Sequence, residues 1–199
     1  MYRIPLVLSF VLLVLIVGCA SNAAPTPTVE PYVAPLYDPT ADSESAVVDT
    51  IPLAAWQTIA LTDVRTGNTF TFADFVGQTV YVQPMATWCA NCRVSQRNLQ
   101  GAVMPEVADE NVIFISLDVQ TALSDADLLT YTENEGFDWR FAVATPELMT
   151  ALVAQFGLSI GNPPSQPHFI IRPNGTATTL MLGNPSPEEA LATIRAESL

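Results

Sequence analysis

Lysine is missing from this chain of 199 residues, and its side-chain cations are seven arginines set against 20 acids, for a formal net charge of −13. A body so acidic repels nucleic acid and anionic lipid, so its expected partners are proteins, a cationic surface suiting them best; the same acidity also serves plain solubility. Histidine occurs once, at His168, and cysteine only at positions 19, 89 and 92. With no second cysteine pair, a closed zinc site would have to borrow His168 and carboxylates to reach three or four ligands. The long apolar run at the start, residues 4–17, falls short of the roughly 20 residues a spanning helix needs.

What stands at the N-terminus is a secretory signal pattern: one cation, Arg3, then the apolar run, then Gly18 and Cys19. Residues 15–19, LIVGC, resemble the bacterial lipobox, in which the cysteine is acylated and becomes the new N-terminus. On that resemblance residues 1–18 are a lipoprotein signal peptide and Cys19 carries lipid on the outer side of the cell membrane. From 19 to 52 the prolines at 25, 27, 31, 35, 39 and 52 recur among Ser, Thr, Ala and acids with no apolar period. Such a segment cannot bury enough surface to offset its ordering entropy and reads as a disordered tether. The remainder, 53–199, has the length of one domain.

Within it, strand and helix patterns alternate. Residues 57–62 and 69–72 read as a hairpin about a Gly67-Asn68 turn, and 73–76 as a helical turn closed by Gly77. Val80-Tyr81-Val82 is a buried strand that runs into Thr87-Trp88-Cys89-Ala90-Asn91-Cys92, followed by a helix to about 103, ahead of Pro105. A continuous apolar run at 112–117 predicts a strand covered on both faces. Ser124 caps a helix ended by Gly136, 140–144 is a short strand, and Thr145-Pro146-Glu147 opens a helix ended by Gly157. A hairpin of 168–172 with 176–182 and a helix from Ser186 finish the chain. The fold class is α/β with a central mixed sheet flanked by helices.

Cys89 and Cys92 thus fall where a central strand gives way to a helix. Unpaired N–H groups and the macrodipole at that end favour an anion, which lowers a thiol pKa from about 8.5 toward roughly 3.5 to 7.5. Cys92, one turn on, is expected to lie beneath Cys89 and be the less exposed. The chemistry this suggests is attack by Cys89 on a disulfide and resolution by Cys92. Three other readings stay open: a structural bridge, which would close too short a loop to stabilise much; part of a zinc site; and a Cu(I)-binding metallochaperone using Cys89, Cys92 and His168.

The stretches FADFVGQTVYVQPMATWCANC, NVIFISLDV and QPHFIIRPNG resemble the membrane-anchored, thioredoxin-like thiol–disulfide oxidoreductases, periplasmic and lipoprotein reductases with an added mid-domain strand–helix unit. The resemblance spans about 55–195. It implies a thioredoxin-like fold, a redox-active Cys89/Cys92 pair working outside the cytoplasm, no cofactor, and protein thiols or disulfides as substrates, an apocytochrome or other exported protein among them. An upstream electron donor would recharge the pair. It further implies a cis peptide before Pro167 packed on the disulfide, backbone groups of Gln166 offered to a client, and Trp88 shielding the site and touching clients. The chain departs from the family where a buried carboxylate would take the second cysteine's proton: it has Gln83 on the strand and Ser95 three residues after Cys92. Arg93 and Arg97 read as surface charge or as aids to the thiolate, and Asp118, Glu133, Glu135 and Asp138 as loop and cap residues.

Overall fold

The computed structural model describes residues 52–199. The signal segment, Cys19 and the Pro-rich tether lie outside them. No helix among the described residues is long and apolar enough to cross a membrane.

A four-stranded mixed sheet organises the domain, in the order β5 (Arg140–Val143), β4 (Val112–Asp118), β3 (Thr79–Met85), β6 (Phe169–Ile171). β3, β4 and β5 run parallel and β6 runs antiparallel to β3. Period-two alternation divides the side chains between two faces. Val80, Val82, Ile115, Leu117, Ala142, Phe169 and Ile171 point to one face, where α3 (Pro146–Phe156) brings Leu148 and Leu152. Tyr81, Phe114 and Ile170 point to the other, under Leu99 and Val103 and under α4 (Pro187–Glu197) with Ala190 and Ile194. Both faces being covered explains the unbroken apolar run of β4.

The helices stop and start where the sequence signals lie. Ser124 accepts the Asp127 N–H to cap α2 (Asp125–Glu135), and Gly136 at φ 71° ends it in the left-handed region. Thr145 caps α3, with Pro146 in its first turn. Ser186 and Glu189 cap α4 reciprocally. α1 (Ala90–Asn98) continues as a wider, π-type turn over Leu99–Val103 before Pro105 opens a 3-10 turn.

Two expectations need correction. Residues 57–62 are not one strand: Ala55–Thr58 form a 3-10 turn, and the hairpin is reduced to β1 (Leu61–Thr62) with β2 (Thr69–Phe70). The turn drives Trp56 edge-on against Phe72, Phe156 and Phe169, and Gln57, buried, donates to Gly175 O at 2.9 Å. Core burial of an indole outweighs the weak alternation of so short a segment. The last hairpin also loses its regular second strand. Pairing runs Ile171 with Ala177 but His168 with Met181, which leaves one extra residue on the returning side, a bulge.

Pro84 stands in β3, a central strand, where proline is rare. β6 leaves β3 opposite Val82, two residues earlier, so no antiparallel neighbour is deprived of a donor there. Beyond this point β3 has only β4 beside it, and the chain is free to turn toward the cysteines.

Candidate active site

Cys89 and Cys92 are joined in a disulfide, with Cα atoms 5.3 Å apart, at the C-terminal end of the parallel strands and the start of α1. Met85 and Ala86, both fully buried, carry β3 into the site, and Cys89 N–H closes a turn onto Ala86 O at 2.9 Å. Cys89 is itself the N-cap: its Sγ accepts the Cys92 N–H at 3.1 Å. A sulfur in the cap position takes the place of the usual Ser or Asp oxygen, and an anion there gains from the helix end.

The expected difference in exposure between the two cysteines is absent. In this oxidised form Cys89 is 2% and Cys92 1% exposed. What separates them is their hydrogen-bonding surroundings. Cys89 Sγ faces a donor, which favours its thiolate; Cys92 Sγ lies 3.3 Å from Pro163 O, an acceptor that favours a protonated thiol once the bond is reduced. Pro163 O also accepts the Gln166 N–H at 2.8 Å.

Pro163 meets the pair through its carbonyl, and Pro167 does not have the predicted cis bond: no peptide among the described residues is cis. The chain reverses instead at Gln166, in the left-handed region at φ 52° and ψ 58°. Gln166 N–H is engaged with Pro163 O, and its carbonyl faces His168 Nδ1 at 3.2 Å, so a client would have to compete for both groups. Trp88 is 60% exposed, as a residue that meets partners would be, not a core tryptophan.

His168 is buried and stacked on Tyr81 at 5.6 Å, and burial holds its pKa below the usual histidine range. It lines a cavity of about 390 Å³ with Met181, Pro185 and Glu189, on the α4 side of the sheet. Among the described residues it forms no metal-ligating group with the two sulfurs. The Cu(I) reading thereby loses its third ligand.

The two departures from the family pattern turn out to be partners. Gln83 Nε2 donates to Ser95 Oγ at 2.8 Å, both buried, while Gln83 Oε1 is buried with no partner. A neutral amide–hydroxyl pair occupies the region beneath Cys92. Beside it runs a second buried chain: Tyr131 OH donates to Gln96 Oε1 at 2.6 Å, and Gln96 Nε2 and Trp139 Nε1 both donate to Ser116 Oγ.

Asp118 is the residue that sequence reasoning missed. It ends β4, is fully buried, and accepts the Thr87 N–H through Oδ2 at 3.0 Å and the Gln120 N–H through Oδ1 at 2.8 Å. Burial pushes its pKa up to about 6, against the lowering effect of the two N–H groups. The available signal was its place: an acid at the C-terminal end of an apolar parallel strand, the edge where α/β sheets gather their sites. Glu135 is likewise more than a helix cap, pairing with Arg93 Nε at 2.9 Å and Arg97 Nη2 at 2.7 Å.

No family model and no curated protein matches the chain. Solved structures do. A thiol:disulfide interchange protein of the thioredoxin family from Chlorobium tepidum aligns at TM-score 0.56 and 20% identity, over 70% of this chain and 92% of that one. The fold is thioredoxin-like. A secreted Mycobacterium tuberculosis disulfide oxidoreductase homologous to E. coli DsbE aligns at TM-score 0.53 and 14% identity, over 71% and 96%. The thioredoxin domain of a Bacteroides vulgatus thiol-disulfide oxidoreductase aligns at 0.53 and 15%, over 69% and 91%. In this thioredoxin-like domain, β5 and α3 form the mid-domain strand–helix unit expected from the sequence, and the Cys pair sits at the N-terminus of α1.

Proposed function

We propose that this chain is an extracytoplasmic thiol–disulfide oxidoreductase that reduces protein disulfides through Cys89 and Cys92. One observation carries the reading: Cys89 Sγ caps α1 and accepts the Cys92 N–H, whereas Cys92 Sγ faces a carbonyl. That supports Cys89 as the readily ionised, attacking sulfur and Cys92 as the protonated, resolving one.

In the reduced form the Cys89 thiolate attacks one sulfur of a client disulfide. The Cys89–client bond forms, the client S–S bond breaks, and the departing client thiolate takes a proton from water. Cys92 then loses its proton and attacks Cys89 Sγ, forming the intramolecular disulfide and releasing the second client thiolate. The proton lost by Cys92 passes through water to the second client thiolate, so the client gains two electrons and two protons, and an upstream dithiol restores the pair by the reverse exchange. Trp88 supplies an exposed apolar surface next to Cys89 in the chain, and Gln166 and Pro167 follow the turn whose Pro163 carbonyl meets Cys92; we assign both to client contact. The signal pattern and Cys19 add the location: a lipid anchor holding the domain outside the membrane, where exported proteins keep disulfides.

Insulin-disulfide reduction tests the assignment. Cys89→Ser should abolish turnover and Cys92→Ser should accumulate mixed disulfides; turnover retained in Cys89→Ser would sink it. The reductive direction predicts a midpoint potential near that of thioredoxin, about −270 mV, and a value near the roughly −120 mV of a strong oxidant would reverse it.

A further inference from the structure

The peptide of Thr87, two residues before Cys89, is held by charged side chains at both its ends. Asp118 Oδ2, from the end of β4, accepts its N–H at 3.0 Å. Arg93 Nη2, from α1, donates to its C=O at a longer 3.4 Å. Neither side chain is free to drift. Asp118 is anchored through Oδ1 on Gln120 N–H, and its backbone carbonyl accepts the Ala144 N–H at 2.8 Å. Arg93 pairs in charge with Glu135, Nε to carboxylate oxygen 2.9 Å without hydrogen-bond geometry; Glu135 also holds Arg97, and the Arg93 guanidinium lies 5.9 Å from the centre of the Tyr131 ring. A fully buried carboxylate costs free energy that a neutral residue capping the Gln120 turn would avoid. Its second oxygen, spent on Thr87, is what that cost accomplishes.

Resting on the thiol–disulfide reading above, we propose that Asp118 and Arg93 act as positioning residues for Cys89, clamping the Thr87 peptide so that the Trp88–Cys89 turn presents the sulfur in line with a client disulfide. Two residues span at most about 7 Å, so a shift at Thr87 is passed to Cys89 with little room for loss. In-line S–S–S attack is demanding in angle, and a misplacement of the order of 1 Å can cost about 100-fold. Arg93 adds a second effect: its positive charge, one helical turn from Cys89, favours the thiolate. Asp118, Arg93 and Glu135 all act electrostatically on Tyr131 of α2.

The test uses the reduced domain with Cys92→Ser, so that only Cys89 reacts. Iodoacetamide, small and tolerant of angle, reads ionisation and access, while insulin disulfide reads alignment. With Asp118→Asn, measured above the thiol pKa, the insulin rate should fall about tenfold and the iodoacetamide rate should stay at the wild-type value. Arg93→Gln, at a partly exposed site that tolerates substitution, should raise the Cys89 pKa by about one unit, a tenfold loss of thiolate below the pKa. Asp118→Asn slowing both reagents alike, or neither, would overturn the clamp, and an unshifted thiol in Arg93→Gln would overturn the part given to its charge. With Cys92 replaced, insulin is read only as the single attack of Cys89 on a disulfide, so the ratio of the two rates decides on the clamp even if the wild-type protein fails to turn insulin over, an outcome that would sink the exchange reading instead.

Discussion

At the scale of single residues, the site is built from substitutions whose consequences have a definite sign. Asp118 is the clearest. Its folded pKa of about 6 lies above the ordinary carboxylate value of 3.8, so the native state binds this proton more tightly than the unfolded chain does. Its contribution is therefore greatest below the unfolded value, declines as the pH rises from about 4 to about 6, and is level above that. The difference amounts to about 3 kcal/mol at most, by the rule of 1.36 kcal/mol per pKa unit. Denaturant melts of wild type and Asp118→Asn across pH 3.5 to 7.5 should show this slope in the wild type only. Gln83 offers a complementary change. Gln83→Ala leaves Ser95 without its buried partner, at a cost of about 1 to 3 kcal/mol. Gln83→Glu places a titrating base under Cys92. The mixed disulfide of that variant with a client should resolve faster as the carboxylate ionises, read by quenched-flow gels, whereas wild type lacks this pH step.

Among the elements, caps and turns carry the argument. α4 covers the Tyr81 face of the sheet and begins with a reciprocal Ser186–Glu189 cap. Ser186→Ala should lower stability by about 1 kcal/mol, measured by urea unfolding, with no change in the Cys89 pKa, because α4 lies on the far side of the cavity beside His168. α1 is different in kind: its cap is Cys89 Sγ, the sulfur we propose attacks first. The disulfide encloses only a three-residue spacing, so reduction removes little chain constraint from the unfolded state and removes no core packing. Helix capping and redox chemistry use the same atom, and any residue that disturbs the start of α1 is expected to move both.

Taken whole, the described domain is a four-stranded sheet with two apolar faces, a small β1–β2 hairpin beside it, and a candidate site at the carboxyl ends of the parallel strands. The proposed membrane attachment rests on Cys19, outside the described residues, and is tested separately: Cys19→Ala should lose partition into the membrane fraction, read by fractionation of expressing cells. Much of this layout was legible in the sequence, for local reasons. Val80-Tyr81-Val82 and the run at 112–117 are apolar enough to demand burial, and Ser124, Gly136, Thr145 and Ser186 act through their own backbone neighbours. The same locality made Cys89 and Cys92 readable, since their spacing and their place at a strand-to-helix junction lie within six residues.

Other features were not readable, because they depend on residues far apart in the chain. That Asp118 would reach Thr87, 31 positions away, follows only from the pairing of β3 with β4, which sets Met85 beside it. That the Pro163 carbonyl would meet Cys92, 71 positions away, follows only from the turn that ends at Gln166. Trp56 overrode the alternation around it through contacts with Phe72, Phe156 and Phe169. By itself the sequence determined the order of the main strands and helices, the caps that start and stop α2, α3 and α4, and the cysteine pair as the candidate site, because propensity, capping and thiol spacing are short-range. Only the tertiary structure decided which groups hold the pair and which sulfur faces a donor, because burial and hydrogen bonding across strands exist only once the chain has closed on itself.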